Sequence, residues 1–184
     1  MAATIRGAVE ADVAAIAAIY AESVLAGTAS YELVPPSVEE MRARFAMVRA
    51  NSYPWFVAEI GEQIAGYAYV SAFRARPAYR WMVEDSIYLS AGMRGRGLGK
   101  ALLARLIGEC ERLGFRQMVA VIGGADPASI ALHRGAGFVS CGRIAGSGFK
   151  FGRWLDTELM QRPLGRGVGD LPDEKIFPGT LFSG

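Results

Sequence analysis

The sequence predicts a mixed α/β (α+β) domain built on one sheet. Three observations carry that prediction. The chain has 184 residues, 52% apolar and 21% charged, which suits one packed domain and excludes a disordered chain. Segments of strand and helix periodicity follow one another in the order β, α, α, β-hairpin, β, α, β, α, β, β. A glycine-rich turn at residues 92–97 separates a strand pattern from the most regular helical pattern in the chain.

Each element has its own signal. Residues 4–7 form a short first strand. Residues 9–25 place Val13, Ile16, Ile19, Tyr20 and Val24 at helical spacing. Residues 26–36 are a loop closed by Pro35 and Pro36. Ser37 stands three residues before Glu40, a capping box, and Met41, Phe45 and Val48 give a second helix its apolar stripe. Residues 55–60 and 63–71 read as a hairpin about Gly61-Glu62. A loop at residues 73–80 carries Arg74, Arg76 and Arg80, and residues 82–90 alternate as a strand. In residues 98–113, Leu98, Leu102, Leu106, Cys110 and Leu113 share one helix face, with Gly114 suited to the position after the helix. Residues 115–122 read as a buried strand. Residues 126–135 form a short helix with Pro127 in its first turn. Residues 138–144 and 154–164 close the sheet. Residues 165–184 hold five glycines and two prolines without periodicity. They read as a tail on a 1–164 domain, ordered only where it docks.

Composition excludes several function classes. The formal net charge is +2, too little to drive nonspecific nucleic-acid binding. Cys110 and Cys141 have no CxxC spacing, and His133 is the one histidine, so neither a disulfide framework nor a metal site is expected. The longest apolar stretch, residues 13–20, is too short to span a membrane. Glu10 and Asp12 interrupt any signal-like core. The expectation is a soluble, reduced, cytoplasmic protein with neither nucleic-acid nor membrane partners.

The chemistry lies in Ser86-Ile87-Tyr88-Leu89-Ser90, then Ala91-Gly92-Met93, then Arg94-Gly95-Arg96-Gly97-Leu98-Gly99-Lys100. A strand runs through a glycine turn into a helix, which aims backbone N–H groups and the positive helix end at one spot. Arg94, Arg96 and Lys100 add cationic donors, and together they make a pyrophosphate cradle. A P-loop would need glycine where Arg94 stands and Ser or Thr where Ala101 stands. A dinucleotide fingerprint would need glycine at Lys100.

What remains, Arg94-x-x-Gly97-x-Gly99, resembles the acetyl-coenzyme-A loop of the Gcn5-related N-acetyltransferases (GNAT). Residues 82–90 resemble the strand before that loop in phosphinothricin and methionine-sulfoximine acetyltransferases. Ser129-Ile130-Ala131-Leu132-His133 with Gly137-Phe138 resembles their second cofactor segment, and residues 150–156 their C-terminal signature. The resemblance spans residues 4–164. It implies a mixed, mostly antiparallel sheet flanked by helices, acetyl-CoA as co-substrate without a metal, an amino-acid-like amine acceptor, and a homodimer. Acetyltransferases for protein N-termini, polyamines or aminoglycosides, and a non-catalytic acyl-CoA binder, are the rival readings. An arginine-bearing loop would repel cationic acceptors, and a pure binder needs no base.

Acetyl transfer to an amine needs a group to take the amine's proton, a donor for the thioester oxygen, and help for the leaving thiolate. The resemblance implies Glu84 as the base. It implies that the main chain of Ile87, Tyr88 and Leu89 pairs with pantetheine, with a backbone N–H near Leu89 as oxyanion donor. Arg94, Gly95, Arg96, Gly97, Leu98, Gly99 and Lys100 are the expected pyrophosphate contacts. His133 stands where many relatives place a thiolate-protonating tyrosine; it either protonates, hydrogen-bonds the cofactor, or packs on the core. Asp126 replaces a cofactor-contacting asparagine and cannot donate unless protonated, so it either joins Ser129 in the cofactor segment or caps the short helix. Arg74 and Arg76, with Glu84, would hold an acceptor bearing a carboxylate and an amine. Arg80 is expected in solvent. Asp85 should face away from Glu84. Tyr31, Glu32, Lys150 and Arg153 could reach the same pocket. Trp55, Trp81 and Trp154 are expected to pack.

Overall fold

In the computed structural model, which describes residues 3–181, Arg6 of β1 (Thr4–Gly7) fixes how the first helix begins. Its guanidinium lies 2.8 Å from both Asp12 and Glu59. Asp12 also accepts from Val9 N–H at 2.9 Å. The expected helix therefore opens as a 3₁₀ turn, Glu10–Asp12, before α1 (Val13–Ala26). The capping box forms as read: Ser37 Oγ accepts from Glu40 N–H and Glu40 Oε2 from Ser37 N–H, opening α2 (Val38–Ala50). Gly61, at φ 62°, turns β2 (Trp55–Ile60) into β3 (Gln63–Ala72).

The remaining elements are β4 (Met82–Leu89), α3 (Leu98–Arg112), β5 (Gln117–Gly123), α4 (Pro127–Gly135), β6 (Val139–Lys150), β7 (Arg153–Pro163) and α5 (Phe177–Thr180). The seven strands share one sheet in the order β1-β2-β3-β4-β5-β7-β6. Only β4 and β5 run parallel among the described strands. Strand β6 runs six residues past its expected end because Gly142, at φ 136°, and Gly146, at φ 57°, carry it through two register shifts against β7.

Strand alternation sends side chains to two cores. Val83 joins Leu102, Leu106 and Cys110 of α3 on one face. Tyr67 and Trp55 join Ile16 and Tyr20 of α1 and Phe45 of α2 on the other, and Tyr88 packs against them. The expected tail docks on the first of these faces, as far as residue 181. Phe177 meets Phe115 edge-on at 5.5 Å, Asp170 pairs with Arg116 at 2.7 Å, and Glu174 pairs with Arg80 at 2.7 Å. Its last three positions lie outside the described residues.

One break in the sheet positions the site. The β4–β5 ladder covers only Met82–Asp85 against Gln117–Ala120. Beyond it, β4 stays with β3 as far as Gly66↔Leu89, while β5 stays with β7 as far as Gly123↔Thr157. The two strands therefore part into a fork. Gly123 lets the residue 27–36 loop lie close on the β5 wall: a Cβ there would meet the Thr28 carbonyl at 2.5 Å. Tyr31 locks the loop in place, its hydroxyl accepting from Gly124 N–H at 3.1 Å and lying 2.9 Å from Thr157 Oγ1.

Candidate active site

The cradle sits where β4 ends. After a 3₁₀ turn, Ala91–Met93, the chain passes through Gly95 (φ 74°) and Gly97 (φ 79°). Both are left-handed conformations, and a Cβ at either would meet nothing within 4 Å. The first backbone bond of α3 runs from Ala101 N–H to Gly97 O, so the N–H groups of Leu98, Gly99 and Lys100 project from the helix end. Arg94, Arg96 and Lys100 are exposed, and none has a carboxylate partner among the described residues. Glu22 of α1 holds the turn by accepting from Ala91 N–H at 3.0 Å. Leu98 and Gly99 are buried. A Cβ on Gly99 would lie 3.3 Å from Leu132 Cδ2, so this glycine lets α4 pack against α3.

Ile87, Tyr88 and Leu89 line the β4 wall of the fork, each paired with β3 on the opposite side. Their outward main-chain groups face the gap where β5 has departed. Tyr88 turns its ring into an aromatic cluster, 5.0 Å from Tyr20 and 5.3 Å from Tyr67.

Glu84 is half-buried on the face carrying Tyr69, Ser86 and Tyr88. Desolvation first, then the Asp85 charge, raise its pKa above the usual 4.5; Arg74 opposes them. A carboxyl so tuned holds a proton more readily at neutral pH than an exposed one. Asp85 faces the other way, as expected from the pleat. Its Oδ2 lies 3.0 Å from His133 Nε2, while His133 Nδ1 lies 2.8 Å from the Ser129 carbonyl. His133 is 4% exposed, so the ring packs in the core on the face opposite Glu84. The sequence missed this partnership, because alternation gives Asp85 a side of the sheet but not a partner 48 residues away. The Asp126 carboxylate caps α4, accepting from Ser129 N–H at 2.8 Å.

Arg74 and Arg76 are exposed on the residue 73–80 loop, and the Arg74 guanidinium sits 5.0 Å from the Phe73 ring. Arg80 is not in solvent: Glu174 holds it, and it lies 5.3 Å over Trp81. Lys150 is buried and donates to Ser30 O at 2.8 Å; burial lowers its pKa, against the pull of Glu32. Glu32 itself pairs with Arg44 at 2.7 Å. Arg153 is exposed. Trp55 is buried as expected, but Trp154 is 70% exposed and touches Phe149 at 5.2 Å. No group of three metal-ligating side chains occurs among the described residues, and no described helix is long and apolar enough to cross a membrane.

The acetyltransferase (GNAT) domain family matches residues 5–159. The chain is 47% identical over 171 residues to the phosphinothricin N-acetyltransferase of Alcaligenes faecalis, covering 92% of this chain and 87% of that one. It is 38% identical over 161 residues to the L-methionine sulfoximine/L-methionine sulfone acetyltransferase of Salmonella typhimurium, covering 88% and 94%. A solved phosphinothricin acetyltransferase of the same superfamily from Sinorhizobium meliloti, in complex with AcCoA, is similar with a TM-score of 0.96 at 57% identity, over 98% of each chain.

Proposed function

Because this chain belongs to the GNAT acetyltransferases, we propose that it moves acetyl from acetyl-CoA to the amine of a small amino-acid-like acceptor of the phosphinothricin or methionine-sulfoximine type. The observation that carries the proposal is the shared strand. One β4 holds a proton-accepting carboxyl, Glu84, beside the point where the sheet forks, and delivers the chain into the cradle at its far end.

The residues present suit acetyl-CoA. The open glycines, the α3 N–H groups and the exposed Arg94, Arg96 and Lys100 would hold its pyrophosphate. The free edge of Ile87–Leu89 would hold its amides. Bound there, acetyl-CoA supplies an activated acetyl thioester. Glu84 takes the acceptor amine's proton, directly or through one water. A backbone N–H near Leu89 donates to the carbonyl oxygen as it gains charge. Arg74 and Arg76 hold the acceptor's carboxylate. The attack is direct and breaks the thioester C–S bond, releasing CoA as a thiolate that takes up a proton from water; Cys110 is fully buried with its pKa raised by that burial, and Cys141 sits on the outer strand β6.

The test is a panel of amines with acetyl-CoA, read by thiol release. Turnover of phosphinothricin or methionine sulfoximine well above polyamines and peptide N-termini supports the proposal; thiol release with no amine preference overturns the acceptor assignment. We place the enzyme in the cytoplasm as a homodimer. Ile144, Phe149, Phe151 and Trp154 leave 50–70% of their surface exposed on the β6–β7 hairpin, an apolar surface that suits a self-complementary contact. A monomeric mass by light scattering, unchanged by Trp154→Glu, counts against the dimer.

A further inference from the structure

Asp85 is the last β4 residue in register with β5, opposite Ala120, so it stands at the base of the fork. Its side chain is almost wholly buried on the face away from Glu84. It reaches His133 of α4, the helix that follows the opposite wall. The ring's two shorter contacts are Nε2 to Asp85 Oδ2 at 3.0 Å and Nδ1 to the Ser129 carbonyl at 2.8 Å; the Ser129 hydroxyl lies farther from Nδ1, at 3.4 Å. A carbonyl and a carboxylate only accept, and a neutral imidazole donates from one nitrogen alone. With Asp85 ionised, these two shorter bonds form together only when both nitrogens carry protons.

We propose that Asp85 is a positioning residue that holds His133 as an imidazolium, and that this buried ion pair pins α4 to β4 where the cofactor walls diverge. The Phe138 ring meets His133 edge-on at 5.0 Å. Cys110 comes from α3, its thiol kept neutral by burial and by the Asp85 charge. Glu84 faces the opposite side of the strand. Asp85 Oδ1 is buried with no hydrogen-bond partner among the described residues, so the carboxyl's hydrogen bond there is the one from Oδ2 to His133. Burial disfavours the charged ring, but the Asp85 bond and charge and the Ser129 carbonyl outweigh it, and the His133 pKa rises above its ordinary 6.5. An imidazolium with both protons committed fixes the helix that carries Ser129 and Leu132 against the fork. It is not free to hand a proton to a leaving thiolate.

The linkage sign follows. A histidine whose folded pKa is raised contributes stability that is complete below the unfolded value and is lost as pH rises through the folded one. Wild-type Tm should therefore fall on going upward from about pH 6.5, and the fall should shrink in Asp85→Asn.

His133 is the sole histidine, so ¹⁵N-histidine labelling reports one ring. In the full-length protein the ring should titrate with a midpoint above 6.5, both nitrogens carrying protons below it. Asp85→Asn should lower that midpoint and raise the acetyl-CoA Kd by about tenfold, with a smaller change in acceptor KM. Asp85→Asn combined with His133→Gln should lose no more affinity than the worse single variant. A wild-type midpoint at or below 6.5 overturns the proposal, even if no variant folds. So does a midpoint unmoved by Asp85→Asn, or losses that simply add. The cofactor half rests on the acetyltransferase reading. Absence of acetyl-CoA binding by the wild-type protein would overturn that reading and this half with it, while the ring titration decides the ion pair alone.

Discussion

At Glu84 the sheet does two things to one carboxyl. It removes water and sets Asp85 beside it, both of which raise its pKa, while Arg74 restrains the rise. A base works when deprotonated, so kcat/KM should fall as pH drops through a value above the ordinary 4.5. Glu84→Gln keeps the shape and removes the basicity. It should lower kcat/KM by about 10²–10⁴-fold, abolish the acidic limb, and leave acetyl-CoA affinity nearly unchanged. Near-normal turnover with an intact acidic limb would take Glu84 out of the reaction. Arg74→Ala is the companion measurement. Losing one charge-assisted contact should raise the acceptor KM roughly 10–150-fold, and losing the restraining charge should move the acidic limb upward. An unchanged preference for an acid over its amide would leave Arg74 as a solvent-facing side chain.

At the scale of the element, the start of α3 separates two kinds of glycine. Gly97 is left-handed with open space around its missing side chain. Gly97→Ala should cost about 1–2 kcal/mol in backbone strain and place a methyl group in the cradle, weakening acetyl-CoA binding by calorimetry. Gly99 faces Leu132 and Leu89 instead. Gly99→Val should force α4 outward, lowering Tm by the equivalent of about 1–3 kcal/mol, and a Tm unchanged by that substitution would show that α4 gives way freely. From the sequence, both glycines read as cradle, because which way a helix-end glycine faces depends on where a later helix docks. Local signals were legible: the Ser37–Glu40 box, the Gly61 turn and the Leu102–Leu106–Cys110 stripe depend on neighbours within a few residues, while the Asp126 cap was one of two readings left open there. The fork was legible only through the family resemblance, which implies a free β4 edge at Ile87–Leu89. The Asp85–His133 pair was not legible, because it joins residues 48 positions apart and no periodicity encodes that partner. The exposure of Trp154 was not legible either: its residue type reads as packed, and the structure leaves it exposed on the β6–β7 hairpin.

Across the whole molecule, the C-terminal segment ties distant parts of the site together, although the family match stops at residue 159. Ile176 and Pro178 cover Gly114 at the end of α3, where a Cβ would lie 2.5 Å from Ile176 Cδ1. Phe177 packs edge-on against Phe115, which is 1% exposed. Asp170 pairs with Arg116, and Glu174 reaches Arg80 in the same loop as Arg74 and Arg76. The apolar contacts should supply most of the stabilisation, since exposed ion pairs contribute about 0–1 kcal/mol each. Glu174 should matter instead for where the loop sits. Ending the chain after Gly167 should lower Tm, because Phe115 loses its cover. It should also raise the acceptor KM more than the acetyl-CoA KM, because the 73–80 loop loses its anchor while the cradle at the start of α3 keeps its own. Glu174→Gln isolates the second effect: Tm should hardly move, and any change should appear in acceptor KM. A truncated enzyme that loses affinity for both substrates equally would reduce the segment to a cover for Phe115, with no hold on the acceptor loop.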